Sequence, residues 1–360
     1  MSHQASEGLV ILVGTREGIY VYEGTCVREA WSVRGPYLSG LDIGNAVLDP
    51  RDRRTIWATG TGEGSTAAYR SDDLGHTWQM AGEPFDCEMV WQIHPGHASQ
   101  PERVYLGVKP AALYQSNDRG ATWEPVMALN AHASAPEWWE GGAGKVLHTI
   151  VTDPDDPNDL TVGISVAGVF HSSDGGSTWN IRNRGMVSMA EEWATMMEAD
   201  EHPQHLVHSC VHKVVRNPAR TDTLYQQNHD GMYRSDDRGL NWVDISEGLP
   251  DRFGFVVGAT TDGAMYVVPQ SMDTIRFSGQ LGVYRRRDGA TTWDRLTNGL
   301  PQIDNITLYR DAMATDHCTP GGIYFGTSSG DVYSSRDGGE GWSRMASGLP
   351  AVRSVECGRV

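Results

Sequence analysis

Short apolar runs alternate with polar, glycine-rich turns along the whole chain. Val169-Phe170-His171 reads as the end of a strand, residues 172–177 as a tight turn, and Thr178-Trp179 as the restart of a strand. The Asp174 carboxylate can accept bonds from backbone N–H groups two residues on, closing the turn on itself. Gly175 and Gly176 supply conformations that a Cβ would resist. The Trp179 indole is large enough to anchor a sheet face. The same phrase recurs at residues 71–78, 116–123 and 235–242, with looser copies at 286–293 and 335–342. Six copies at roughly even spacing, each after an apolar strand, predict a repeat architecture.

The runs between copies fill out a four-stranded unit, A to D from inside to outside, with the polar turn joining C to D. Strand A often ends in an Asp/Asn/His-Pro turn, as at Asp49-Pro50, His94-Pro95, Asp153-Pro154 and Asn217-Pro218. The expected fold is all-β: a seven-bladed β-propeller of four-stranded antiparallel blades, one domain over residues 1–360. Residues 9–33 supply strands B, C and D of a blade that lacks its strand A, and residues 351–357 read as a lone strand A. Pairing the two ends closes the ring and removes open edges. A six-bladed ring with an N-terminal appendage is the alternative.

Insertions at 128–144, 183–209 and 269–280 break the rhythm. By propeller geometry all three emerge on the rim opposite the C–D turns, where long loops usually carry function. The second contains Glu191-Glu192-Trp193 and three histidines, His202, His205 and His208.

Net charge is −17, which argues against nucleic acid, whose phosphates call for a basic stripe. No apolar run reaches membrane-spanning length, so no membrane insertion is expected. The first residues lack the basic and apolar segments of a signal peptide. Cys26, Cys87, Cys210, Cys318 and Cys357 are scattered and odd in number, which fits reduced thiols in a cytoplasmic protein.

No phosphate loop, nucleophile elbow or zinc-protease helix is present. Candidate chemistry comes from the inner strands. Counting five residues back from the residue that closes each strand A gives His148, His212 and Asp311, and in blades 2 and 3 Gly44 and Met89. Gap-free alignment places His148, His212 and Asp311 in one layer of the channel wall, with His229 above them on a B–C loop. These four are the candidate catalytic residues, and His148, His212 and His229 can together bind a divalent metal ion. Candidate substrate contacts at the same mouth are Glu88, Lys109, Lys145, Asn228, Arg276, Asn305 and Arg310, with Trp138 and Trp139 able to stack on a sugar or aromatic ligand.

The Ser-x-Asp-x-Gly-x-Thr-Trp spacing resembles the BNR or Asp-box repeat of sialidases, sortilin-like domains and xyloglucan-type glycoside hydrolases. Cys210-Val211-His212-Lys213, residues 224–229, Phe253-Gly254-Phe255 and residues 308–313 are similar to bacterial proteins labelled BNR-repeat or glycosyl-hydrolase-like. The resemblance implies the propeller more firmly than an activity. Sialidases use three arginines, an early Arg-Ile-Pro motif and a Tyr/Glu pair; here the motif position reads Arg34-Gly35-Pro36, and Arg276 and Arg310 are the only obvious rim arginines of the later blades. Lys109 stands where the similar proteins often carry Glu. The expected function is a hydrolase or lyase for a small polar or glycosidic metabolite, with sialidase activity itself not expected. The competing expectation is a non-catalytic binding or assembly propeller. A deep pocket would favour the first and a broad groove the second.

Overall fold

The computed structural model describes residues 7–189 and 207–360. Seven four-stranded antiparallel sheets form the blades of a propeller. Blade 2 runs through Ala46–Leu48, Ile56–Gly62, Ser65–Ser71 and Gln79–Met80, and the remaining blades repeat that order of strands A to D. Strands A of blades 3 to 7 are Met89–Pro95, Leu147–Thr152, Val211–Asn217, Gly254–Ala259 and Met313–Thr315. A two-stranded ribbon, Phe277–Gln280 with Gln302–Ile306, stands beside blade 6. No helix among the described residues is long and apolar enough to cross a membrane.

Blade 1 takes Gly8–Thr15, Gly18–Thr25 and Ser32–Tyr37 from the N-terminal end and Val352–Arg359 from the C-terminal end. The last strand pairs antiparallel with the first, from Leu9 opposite Arg359 to Gly14 opposite Ser354. Val352 and Val355 are buried against the neighbouring blade 7. Seven blades are thus closed by the chain's own two ends.

A disulfide joins Cys26 of blade 1 to Cys318 of blade 7, with Cα atoms 5.8 Å apart. This corrects the expectation of five reduced thiols; Cys87, Cys210 and Cys357 are free. The partners lie 292 residues apart in sequence, and only ring closure brings them together. Beside the disulfide, the Arg28 guanidinium forks onto Asp316 across the same seam, with bonds of 2.7 Å to each carboxylate oxygen.

Five of the six Asp-box turns share one hydrogen-bond pattern. In blade 4 the Ser172 hydroxyl donates to Asp174 and accepts the Gly176 N–H, both at 2.8 Å, while Asp174 accepts the Thr178 N–H at 2.8 Å. Gly175 and Gly176 have φ of 71° and 93°, so each sits in the left-handed region that disfavours a side chain. These bonds hold the Asp174 carboxyl down at about 2, the largest contribution coming from the Thr178 hydroxyl. Three of the box tryptophans tie blades together: the indoles of Trp123, Trp242 and Trp293 each donate to a backbone carbonyl of the preceding blade, at Ala81, Arg182 and Ile245, whereas Trp78 and Trp179 donate within their own turns.

Candidate functional site

The inner strands of blades 3 to 6 all carry a β-bulge at matching depth. The extra residue is Trp91 in blade 3, His148 in blade 4 and His212 in blade 5, and in blade 6 the bulge spans Phe255 and Val256. A bulge re-aims a side chain that regular pairing would hold on one face. Here it produces struts between blades.

His148 is fully buried. Its Nε2–H donates to the Val211 carbonyl of the next blade at 2.9 Å, and Nδ1 faces the Thr149 hydroxyl at 3.0 Å. Burial, reinforced by the Arg310, His212 and Lys213 charges, holds its pKa well below the ordinary imidazole value. The expectation of a catalytic or metal-binding His148 facing the channel is therefore corrected: both nitrogens are engaged in sheet packing. His212 makes the equivalent strut, its Nδ1–H donating to the Gly254 carbonyl at 2.5 Å. Its ring differs in reaching a cavity.

That cavity encloses about 490 Å³ on the rim that carries the B–C and D–A loops, within the range of small-molecule sites. His212, His229, Cys210, Phe253, Phe255 and Trp91 form its inner wall. Residues 141–143 and 274–276, from two of the insertions, form part of its border. Of the third insertion, residues 190–206 lie outside the described residues, and with them Glu191, Glu192, Trp193, His202 and His205. His229 and His212 meet edge to face at 5.7 Å, and Phe253 lies 5.1–5.2 Å from both rings.

Three arginines line the cavity. Arg353 is forked onto Asp42 at 2.9 and 2.7 Å and lies over the Tyr309 ring. Arg276 donates to the Asn305 side-chain carbonyl at 2.9 Å. Arg310 is different. Its guanidinium sits between two aromatic faces, 5.6 Å from Trp91 and 5.2 Å from Phe255, and its buried Nε has no hydrogen-bond partner. Burial lowers its pKa from the ordinary guanidinium value. No carboxylate lines the cavity among the described residues.

Asp311 falls elsewhere. It is ion-paired to Lys213, accepts the Trp91 indole N–H at 3.2 Å, and lines a second cavity of about 460 Å³ deeper in the channel. It does not join His212 as a base, which corrects the one-layer expectation. Lys213 and Glu356 line the same deeper cavity. Burial pushes the Glu356 carboxyl up to about 7, against the pull of Lys213.

The other candidates divide. Trp138 is 5% exposed, packs on Phe170 at 5.3 Å and donates to the Ser134 hydroxyl, so it pins its loop and offers no stacking face. The Trp139 ring lies on that of His208, centroids 4.0 Å apart. Asn228 is fully buried and caps its own turn by accepting the Asp230 N–H. Trp138 and Asn228 are thereby corrected from expected ligand contacts to structural roles. Glu88 and Lys109 pair with each other at 2.8 Å on the rim of blade 3. Lys145 is half-buried outside the cavity lining.

Sequence reasoning missed Trp91, Cys210, Phe255, Tyr309 and Arg353. In blade 3, Pro95 pairs with Val104 as Thr152 pairs with Leu160 in blade 4. The strand-closing position is therefore Gly96, not His94, and the five-residue count lands on Trp91 instead of Met89.

Residues 232–245 match the model of the BNR-Asp box repeat. The chain is an Asp-box β-propeller. No curated protein sequence matches it. Among solved structures, an ancestral GH74 enzyme superposes with TM-score 0.59 at 18% identity over 88% of this chain; the propeller spans 38% of that enzyme's length. YCF48 from Cyanidioschyzon merolae superposes with TM-score 0.56 at 14% identity, covering 90% of this chain and 97% of its own. A putative 6-phosphogluconolactonase from Bacteroides uniformis gives 0.61 at 10% identity, covering 98% of this chain and 100% of that one. At such identities the likeness is one of fold.

Proposed function

We propose that this Asp-box propeller is a hydrolase or lyase for a small anionic metabolite, a carboxylate- or phosphate-bearing sugar-like molecule held at the Arg310 cavity. One observation carries the reading: Arg310 is a desolvated cation with no ion-pair partner among the described residues, clamped between Trp91 and Phe255 at the cavity wall. A buried charge left unpaired is costly, and an anionic ligand offsets that cost. Trp91 and Phe255 add apolar faces for the rest of the molecule, and His229 stands beside the anchor as the group able to handle protons, with His212 buried behind it and held by the Gly254 carbonyl.

Two-carboxylate glycoside hydrolysis has no support here, since it needs a pair of acids flanking the bond and the described lining supplies none. The similarity to a GH74 enzyme does not alter that. The competing reading, a non-catalytic binding or assembly propeller, fits the surface less well: the exposed large apolar residues are spread around the ring, from Val33 in blade 1 through Met80 and Val243 to Ile275 in blade 6.

The test is a thermal-shift and calorimetric panel of sugar acids, sugar phosphates and matched neutral sugars. Anions should bind and raise the melting temperature, neutral analogues should not, and Arg310→Met should lose the effect while keeping its fold. Equal binding of neutral sugars, or anion binding that survives Arg310→Met, would rule the reading out. Bound anions are then assayed for turnover; a panel that binds without turnover in wild type would leave a binding protein and reject the enzyme.

A further inference from the structure

We propose that Cys210, His212 and His229 form a zinc site whose fourth position opens into the cavity. The site shares that cavity with the anion reading but does not depend on Arg310. It refines the histidine wall: the imidazoles hold a metal, and a zinc-bound water takes the place of His229 as the reactive group.

The donor atoms are already gathered. The thiol sulfur and one nitrogen from each imidazole all lie within 4.8 Å of one another. Cys210 Sγ and His212 Nε2 are 3.6 Å apart. Zinc bonds of about 2.3 Å to sulfur and about 2.0–2.1 Å to nitrogen, at a tetrahedral angle, span about 3.6 Å between those two atoms. This edge of the tetrahedron therefore exists before metal arrives.

The His212 tautomer is fixed in the required sense. The Gly254 carbonyl can only accept, so Nδ1 carries the proton and Nε2 presents its lone pair to Cys210. A backbone carbonyl orienting the far nitrogen is the usual support for a ligating histidine. The third ligand is tied to the first, because the His229 N–H donates to the Cys210 carbonyl at 2.9 Å. Phe253 walls both imidazoles.

The donor set selects the metal. One thiolate and two imidazoles exclude calcium and magnesium, which take oxygen ligands. Blue-copper sites add a weak axial ligand to such a trio, most often a methionine thioether or a glutamine, and neither residue lines the cavity among the described residues. One thiolate and two imidazoles with one open position fit zinc best. On binding, the Cys210 S–H bond breaks, the sulfur–zinc bond forms with the sulfur's electron pair, and the proton leaves to solvent; no electron transfer is involved. Zinc and thiolate together carry one positive charge beside Arg310, so the open position and the guanidinium both face an anionic ligand.

The test uses the full chain, stripped with chelator and titrated with Co²⁺ as a spectroscopic stand-in for zinc. Wild type should take up one equivalent with a thiolate-to-cobalt charge-transfer band and the visible bands of tetrahedral cobalt. Cys210→Ser should lose the charge-transfer band, and His229→Ala should weaken Co²⁺ and Zn²⁺ binding at least tenfold. Cys87→Ser, a half-buried thiol away from the cavity, should change neither. Circular dichroism and melting temperature certify that each variant is folded. Absence of the band in wild type, or its survival in Cys210→Ser, overturns the zinc site. Anion binding by the stripped protein is scored separately, so the Arg310 reading can stand or fall without the metal.

Discussion

The Asp-box turns and the inner-strand bulges occupy opposite ends of the same blades and differ in what repeats. In blades 2, 3, 4, 5 and 7 the glycine N–H reaches the serine hydroxyl at 2.7–2.8 Å, so five turns close in nearly the same way. The bulges of blades 3, 4 and 5 sit at equivalent depth yet carry Trp91, His148 and His212. Trp91 bonds Asp311 across the channel, whereas His148 and His212 each bond the next blade's inner strand. One end uses repeated side chains for a repeated task. The other keeps the backbone irregularity and changes the side chain, so Trp91, His212 and Phe255 reach one cavity while His148 stays in the packing between blades. Repetition of residues marks structure here; repetition of geometry without residues marks the candidate site.

The sharpest break in that contrast is His148. It sits in the bulge layer but acts as a strut, so His148→Ala should cost about 2–4 kcal/mol, from the void and from lost bonds to buried partners. The folded variant should still bind anions, since the ring does not line the cavity. Urea unfolding checks the first claim and calorimetry the second. Loss of binding at unchanged stability would return His148 to the site.

Glu356, on the closing strand, tests the deeper channel through pH. Its folded pKa of about 7 lies above its ordinary value of 4.5. Folding therefore favours its protonated form: the associated stability is fully present below about 4.5 and is lost as pH rises through about 7. Glu356→Gln should stabilise the protein by about 1–3 kcal/mol at pH 8 and make no comparable difference at pH 4. Parallel stability–pH curves for wild type and variant would show that the carboxyl titrates normally.

The turns are expected to give smaller and strictly structural effects. Ser172→Ala removes a hydroxyl that accepts the buried Gly176 N–H at 2.8 Å and donates to Asp174. It should cost about 1–2 kcal/mol and leave anion binding unchanged, because the turn lies on the rim away from the cavity. A loss of binding without a loss of stability would place function on the wrong rim.

Legibility followed the range of the interactions. An Asp-box closes within eight residues, so serine, aspartate, glycine and tryptophan at fixed spacing announced the turns, the blades and the pairing of the chain's ends. The seam disulfide was not legible, because Cys26 and Cys318 meet only through ring closure. The cavity was half legible. His212, His229, Arg276 and Arg310 were named, and Thr274 to Arg276 come from a recognised insertion. Bulges explain most of the rest: an unpaired residue re-aims its side chain, so strict alternation cannot tell which of His148 and His212 reaches the cavity. Cys210, two residues before His212, carried a usable signal, since a thiol and an imidazole so near in sequence are a candidate ligand pair.

Blade 6 offers the finest test of the comparison, because its turn keeps the aspartate but not the serine. Arg286 occupies the serine position, and its Nε–H donates to the Ala290 carbonyl at 2.8 Å. Asp288, at the position of Asp174, turns outward and pairs with Arg220, with one bond of 2.9 Å. Both partners of that pair are exposed by more than a third, where ion pairs contribute little. The Trp293 indole still reaches the Ile245 carbonyl of blade 5 at 2.9 Å, so the blade-to-blade tie survives without the box. Asp288→Ala should therefore change stability by no more than about 0.5 kcal/mol, while Trp293→Phe, which keeps a ring but drops the N–H, should cost more, about 1 kcal/mol. Urea unfolding of the two variants beside Ser172→Ala gives the ranking. A cost for Asp288→Ala equal to that of Ser172→Ala would mean that the aspartate closes the turn by itself, and that serine is not what distinguishes the five intact boxes from the sixth.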